Sequence, residues 1–266
     1  DALRYTLATG SSAGNDTRYS DEKVKASRNF NNKLWNAARF IQMNLDGELA
    51  DGLPEKLELE DKWILSTLNN VIKSATENIE GYDLGLAAQK ANDFIWDCIC
   101  DKYIEIVKLR LNSEDKEIKD NARRVLVYVM KEALKLLHPF MPFITEEIYL
   151  ALPNAEETIM LCQWPQWKEE LVFEREEKSL TRILELAKSI RALRAQMQAH
   201  PSNKTLLIIE TPHVADFEQG IYFVEKFAFA KEVQLVEKFE GDAKAYSQVV
   251  VEGARGFIPT GDLVDK

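Results

Sequence analysis

The residues best suited to chemistry lie in the stretch RNFNNKLWNAARF, residues 28–40. If this stretch is helical, a rotation of about 100° per residue brings four side chains into an arc of about 60°: Asn29, Lys33, Asn36 and Phe40. Amides donate and accept hydrogen bonds, a Lys ammonium pairs with a phosphate or a base acceptor, and an aromatic ring stacks on a base. These four residues, which we call the polar ridge, suit the binding of unpaired nucleic-acid bases.

The same residues also have a purely structural interpretation. Phe30, Leu34, Ala37 and Ile41 form the apolar stripe of the predicted helix, centred about 100° from the polar ridge. Polar residues commonly flank such a stripe, so Phe40 could pack under a neighbouring helix while the Asn side chains cap or bridge loops. Spacing alone leaves both interpretations open.

The distribution of charge favours an anionic partner at the N-terminal end. The net charge is −10, which argues against nonspecific coating of nucleic acid, since affinity for phosphate comes from clustered Lys and Arg. Residues 1–45 nevertheless contain seven Lys or Arg and four Asp or Glu, and so carry +3, against −13 for the rest of the chain.

Several other kinds of site are disfavoured. The sequence contains no P-loop, GxGxxG, HExxH or GxSxG motif, so we predict no catalytic residues and no cofactor in this chain. Its three Cys and three His lack the spacing of a zinc site or a disulfide framework, and no apolar run approaches the roughly 18 residues of a membrane span. We expect a cytoplasmic protein with reduced cysteines, no metal and no membrane contact.

Helical periodicity places the polar ridge in a predicted antiparallel bundle over residues 1–152. Helices are predicted over the ranges 21–45, 61–79, 84–111, 114–138 and 144–152. Residues 153–173 are predicted to be a linker or strap. Residues 174–266 are predicted to form a small α+β domain, with an amphipathic helix, another helix near 215–228, and strands at 205–210, 232–236 and 246–253. The predicted fold class is mainly α.

Longer strings resemble one protein family. They are DALRYTLAT, RNFNNKLWNAARFIQMNL, YDLGLAAQKANDFIWDCICDKYIE and HPFMPFITEEIY. In this order, with a short strap after the first, they resemble the region that follows the catalytic core of valyl-tRNA synthetases, which are class I aminoacyl-tRNA synthetases. The resemblance is dense over residues 1–167 and looser over 189–197. It implies that residues 1–152 are a helical anticodon-binding domain.

The resemblance also implies partners and cofactors. The partner would be the valine tRNA, tRNA(Val). Catalytic and editing domains, which use ATP and Mg, would precede Asp1, and the chain is therefore expected to be part of a longer protein. The C-terminal domain would lead into a coiled-coil arm.

Within this family, the helix equivalent to 21–45 faces the anticodon loop. The resemblance therefore assigns anticodon contacts to Lys33, Asn36 and Phe40, with Asn29 on the same ridge. Glu22 stands where some relatives carry an Arg. Candidate contacts with the tRNA backbone are Lys23, Lys25, Arg28, Arg39, Arg191 and Arg194. Trp35 is predicted to serve mainly in packing.

Two alternatives remain open at this point. The same bundle occurs in isoleucyl-, leucyl- and methionyl-tRNA synthetases, so the cognate tRNA could differ. The acidic composition and the tryptophans of QWPQW, residues 163–167, are also compatible with a helical protein-interaction module that binds no tRNA.

Overall fold

A computed structural model describes residues 1–10, 18–200 and 202–262 of the chain. The chain divides into two compact units, residues 1–173 and residues 174–266. The first is helical and the second combines helices with a small sheet, so the predicted fold class, mainly α with a small α+β part, is confirmed. The strap predicted after the first helix falls largely on residues 11–17, which lie outside the described residues.

The first unit is a helical bundle whose elements follow the predicted order. They are α1 (Ala2–Gly10), α2 (Asp21–Met43), α3 (Leu59–Glu80), α4 (Leu84–Asp93), a π-helix (Phe94–Tyr103), α5 (Ile104–Leu111), α6 (Lys116–Leu137) and α7 (Pro142–Leu150). The Ser20 side chain accepts a hydrogen bond from the Lys23 backbone N–H, and so caps α2 at the predicted start.

The predicted core stripe of α2 is buried. Phe30, Leu34, Ala37 and Ile41 each expose 6% of their surface or less. Burial of a large apolar side chain stabilises a fold by about 1.5–3 kcal/mol, so this stripe fixes the rotation of α2 about its own axis. The polar ridge, about 100° away, is therefore held at the edge of the buried face.

The helix predicted over residues 84–111 is present, but its middle is a π-helix rather than an α-helix. Its buried residues Ile95, Ile99 and Tyr103 recur every four positions, a wider repeat than the 3.6 residues of an α-helical turn. Hydrogen bonds from i to i+5 bring residues five apart onto nearly the same side, whereas an α-helix would separate them by about 140°.

A buried ionic network joins α3 to the π-helix and α5. The Arg110 guanidinium lies 2.7 Å from one carboxylate oxygen of Asp61 and 3.0 Å from Glu60, and the Tyr103 hydroxyl donates to the other oxygen of Asp61 at 2.8 Å. Asp61 and Tyr103 are completely buried. Burial raises the pKa of Asp61 and of Glu60, and the charge of Arg110 opposes this rise.

Residues 153–173 fall within the first unit and are hydrogen-bonded to α3. The Asn69 side chain donates to the Lys168 carbonyl at 2.7 Å and accepts from the Lys168 N–H at 2.9 Å. The Trp164 indole donates to the Thr76 hydroxyl at 2.9 Å. These bonds satisfy the backbone N–H and carbonyl of Lys168 and the ring N–H of Trp164, in a segment that has little secondary structure of its own.

The second unit contains a four-stranded sheet with order β2-β1-β4-β3. Its elements are α8 (Glu174–Gln196), β1 (Thr205–Glu210), α9 (Val214–Gln219), α10 (Ile221–Phe227), β2 (Ala230–Val236), β3 (Tyr246–Val251) and β4 (Ala254–Pro259). β1 pairs in parallel with β2 and antiparallel with β4, and β4 also pairs antiparallel with β3.

Strand β4 was not predicted, although it lies inside the sheet. Its sequence, ARGFIP, contains a glycine and a proline, which weaken a strand signal. A Cβ at Gly256 would lie 3.0 Å from Val249 and 3.3 Å from Leu186, so the glycine lets α8 approach the sheet closely. The residues predicted as the end of β3 instead form the turn into β4, where Gly253 has φ of +75°.

Replacing Arg110 with Met should destabilise the protein by about 3–5 kcal/mol at pH 7, because two carboxylates would remain buried without a cation. Urea unfolding followed by circular dichroism measures this loss. Without Arg110, the raised folded-state pKa values of both carboxyls should rise further. Protonation of these two carboxyls then stabilises the folded variant below about pH 4, and this stabilisation is lost as pH rises. The destabilisation caused by Arg110→Met should therefore be smaller in acid than at pH 7.

Lys56→Met is the matched control for this experiment, since Lys56 pairs with Glu58 at the surface. It should leave the unfolding midpoint almost unchanged. If Arg110→Met costs no more than Lys56→Met at pH 7, the buried network does not hold these helices together.

Candidate nucleic-acid interface

The polar ridge runs along the side of α2 that borders the π-helix and α5. Asn29 and Asn36 are exposed, and neither side chain hydrogen-bonds to another residue in the described ranges. Both amides therefore keep their donors and acceptors available for a partner. The four side chains that the sequence assigns to the ridge lie together, but they differ in exposure and in their contacts with neighbouring residues.

Lys33 is the ridge residue held most firmly. Its ammonium lies 2.6 Å from a carboxylate oxygen of Asp101 and 3.7 Å from the centroid of the Trp96 ring. Both partners belong to the π-helix. A quarter of the Lys33 side chain is exposed, so the ammonium remains within reach of a ligand.

Phe40 is half-buried, which partly matches the structural interpretation of the ridge. The Lys108 ammonium of α5 lies 5.6 Å from the centroid of its ring, within the range of a cation–π contact. The Asn44 side chain donates to the Phe40 carbonyl at 2.8 Å, near the end of the helix. The exposed part of the ring is available for stacking.

The prediction that Trp35 serves mainly in packing was wrong. Trp35 is 48% exposed. On the helix it falls about 100° from Asn36, on the side away from the core stripe. The neighbouring positions on this solvent face carry Lys25, Arg28 and Arg39, all exposed. No acidic residue occurs between Lys23 and Met43, so this face is basic as well as aromatic.

Lys23 and Glu22 lie in the first turn of α2, and both are exposed. Lys23 lines a small cavity beside α1 rather than the solvent face, together with Thr6 and Trp96. Glu22 occupies a position that an acidic side chain favours, because the N-terminal end of a helix carries a partial positive charge.

Arg194 is not available for a contact with nucleic acid, contrary to the sequence prediction. It is 3% exposed, and its guanidinium donates to the Thr205 hydroxyl at 3.2 Å and to the carbonyls of His200 and Asn203 at 3.2 and 2.6 Å. It therefore joins the end of α8 to the loop before β1. Arg191, one turn earlier, is exposed.

The π-helix beside the ridge presents acidic groups. Asp97 and Asp101 of the π-helix are exposed, and so is Asp93, the last residue of α4, at the same four-residue interval. Partial burial raises the pKa of Asp93, and the charge of Asp97 adds to this rise. These carboxylates oppose the approach of a phosphate backbone from this side.

Other candidate chemistry is weak in the parts of the chain that the structure describes. His138 Nδ1, at the end of α6, lies 2.7 Å from the Thr145 hydroxyl, and burial lowers the pKa of this histidine. Within the described ranges, no cluster of three or more His, Cys, Asp or Glu is arranged to hold a metal. None of the helices described there has the length and apolarity to span a bilayer.

A known family matches the chain from α3 to β1, which is the part that follows the ridge. Residues 61–210 match the family described as "Anticodon-binding domain of tRNA ligase". The chain belongs to this family. Exposed amides, a partly exposed ring and an ammonium held in place are, by their chemistry, groups that suit contacts with unpaired bases.

Curated relatives of this anticodon-binding domain are valine–tRNA ligases. The protein of Clostridium perfringens is 46% identical over 270 residues, that of Clostridium acetobutylicum 45% over 270 residues, and that of Clostridium tetani 44% over 268 residues. Each match covers 100% of this chain, which spans only about 30% of the length of these relatives. The matched part is their C-terminal region.

A solved complex of Agrobacterium radiobacter K84 agnB2 LeuRS with tRNA and LeuAMS resembles 65% of this chain and 20% of the solved chain, with a TM-score of 0.49 and 19% identity.

Substitution of the two neighbouring arginines of α8 should separate structure from surface charge. Arg194→Met should lower the free energy of unfolding by about 2–4 kcal/mol, because two carbonyls and a hydroxyl lose a charged donor. Arg191→Met should change it by less than about 0.5 kcal/mol. Urea unfolding of the chain measures the free energy of unfolding of both variants. Equal effects would contradict the assignment of a structural role to Arg194.

Proposed function

We propose that this chain binds tRNA(Val) by its anticodon, and that the polar ridge makes the base contacts. The observation that carries this proposal is the set of groups on one side of α2: two exposed amides, a partly exposed ring and an ammonium held by an ion pair, all on a helix without acidic residues after its first turn. Family membership and the identity to valine–tRNA ligases support it.

Each ridge residue is assigned a role by its chemistry. Asn36, central in the ridge, pairs with the edge of one base, since an amide can donate and accept at once. The exposed part of the Phe40 ring stacks on a base. Lys33 provides a third contact, and Asn29 extends the polar surface toward the start of the helix.

The solvent face of α2 supplies contacts with the RNA backbone. Lys25, Arg28 and Arg39 are exposed cations there, and each can pair with a phosphate. Trp35 joins this surface because 48% of the residue is accessible, and it provides a second aromatic group for stacking. Lys23 and Arg191 are exposed cations that stand apart from this group.

The protein that contains this region is proposed to attach valine to tRNA in the cytoplasm, as the names of its relatives suggest. ATP and Mg would be bound by parts of those longer proteins, because this chain contains no phosphate-binding motif. The chain by itself is therefore expected to bind tRNA without activating valine. An isoleucine, leucine or methionine tRNA as the cognate partner is the alternative within the same function.

Ridge substitutions should reduce selectivity for the valine anticodon. Asn36→Ala removes a base-edge contact, which is worth about 1–3 kcal/mol of discrimination by analogy with base pairs in duplex recognition. Phe40→Ala should weaken binding by about 1–3 kcal/mol through loss of stacking. Anisotropy titrations with labelled tRNA(Val) and with the same tRNA carrying a swapped anticodon measure both effects.

Arg28→Ala is the matched control, because Arg28 lies on the solvent face and should contact the backbone. It should weaken binding to both tRNAs equally and preserve their ratio. A thermal melt of Phe40→Ala is needed, since that ring is half-buried. If Asn36→Ala and Lys33→Ala keep the parent's selectivity, the ridge is structural.

The affinity of this chain should be modest. Complete synthetases hold tRNA at several linked sites, and removing some of them weakens binding more than proportionally. The chain is also acidic overall, with a charge of −10. We expect a dissociation constant in the micromolar to tens-of-micromolar range near physiological salt, with strong salt dependence. Titration at two salt concentrations checks this, and nanomolar binding that barely changes with salt would contradict it.

A further inference from the structure

The Lys33 ammonium differs from that of an ordinary phosphate-binding lysine in the groups that contact it. A lysine that serves a phosphate is usually a mobile point charge, free to follow its partner. Here the ammonium is bracketed by a carboxylate at 2.6 Å and a tryptophan ring at 3.7 Å. The carboxylate compensates its charge, and the ring fixes its position.

The π-helix allows Trp96 and Asp101 to contact the Lys33 ammonium together. Trp96 and Asp101 are five residues apart, which would place them about 140° apart on an α-helix. The i to i+5 hydrogen bonding of the π-helix brings them to nearly the same side, so both reach one ammonium. Trp96 is itself fixed, because its ring stacks on the buried Phe30 with centroids 6.2 Å apart.

The hydrogen-bonding capacity of Lys33 follows from this geometry. An ammonium has three N–H donors. Asp101 accepts one and the face of Trp96 attracts another, which leaves one donor directed away from both. A single donor with a compensated charge suits a neutral acceptor, such as a carbonyl oxygen or ring nitrogen of a base. It is poorly suited to a phosphate.

We infer that Lys33 donates one directed hydrogen bond to a base acceptor in the anticodon loop, and that Asp101 and Trp96 are the positioning residues that impose this role. The inference rests on the proposed function and specifies how one of its residues acts. Asp101 thereby contributes to specificity without touching RNA: it lowers the attraction of Lys33 for any phosphate and preserves its attraction for the correct base.

Asp101→Asn tests this inference with two independent readouts. The amide no longer compensates the ammonium, so Lys33 should gain a phosphate contact with any RNA. The slope of log affinity against log salt should steepen by about 0.7, the value for one additional phosphate on a single strand. The ratio of affinities for tRNA(Val) and its anticodon-swapped form should fall by at least about threefold, because the phosphate contact replaces the base contact in tRNA(Val) but adds to the binding of the swapped form.

Asp97→Asn is the matched control. It removes an equal charge from the same helix, and Asp97 makes no ion pair with Lys33 or with another residue in the ranges that the structure describes. It should strengthen binding to both RNAs equally, leave the ratio unchanged, and change the salt slope by less than the one phosphate contact expected for Asp101→Asn. In a Lys33→Ala background, Asp101→Asn should then behave like Asp97→Asn, since its effect acts through Lys33.

Anisotropy titrations of the whole chain with both labelled tRNAs, at about 50 and about 200 mM salt, supply these readouts. The inference is overturned if Asp101→Asn matches Asp97→Asn in the parent background, or if it steepens the slope while the selectivity ratio stays unchanged. A parent chain that fails to discriminate between the two anticodons contradicts the proposed function itself. A discriminating parent with matching Asp variants contradicts this inference alone.

Discussion

The carboxylate of Asp61 is the buried charge on which the arrangement around α2 depends. It is completely buried on α3, and it receives hydrogen bonds from Tyr103 at the end of the π-helix and from Arg110 on α5. A carboxylate without these partners would be strongly destabilising in an apolar interior, so the three elements must meet at this point. The π-helix and α5 are thereby fixed as the wall beside the polar ridge, and this wall carries the groups that hold Lys33.

The interface combines attraction and exclusion. The solvent face of α2 is basic and aromatic, whereas the adjoining π-helix is acidic, so a phosphate backbone is favoured on one side of the ridge and disfavoured on the other. Under the proposed function, such a boundary would orient a loop whose bases point toward the ridge. It also explains how a chain with a net charge of −10 could bind RNA selectively, since nonspecific phosphate attraction is weak over most of its surface.

Much of this arrangement could be predicted from sequence, and the exceptions have physical causes. The cap at Ser20, the apolar stripe of α2 and the helical order follow from local patterns. The contacts of Lys33 with Trp96 and Asp101 could not be predicted in this way, because α-helical periodicity places these two residues on different sides of their helix. The burial of Arg194 was indicated by its position, because it lies four residues after the buried Ile190 on the apolar stripe of α8. Its charge alone suggested a surface contact. Trp35 was misassigned because a tryptophan is usually buried, and its angle on the helix was the better guide.

The central claim is that the ridge on α2 selects tRNA(Val) through its anticodon. The most direct measurement is the identity of the tRNAs that the immobilised chain retains from a total bacterial tRNA pool, determined by sequencing the eluted RNA. We predict that valine tRNAs are enriched over isoleucine, leucine and methionine tRNAs, and that Asn36→Ala reduces this enrichment. Retention in proportion to abundance, or the same enrichment with Asn36→Ala, would contradict the claim.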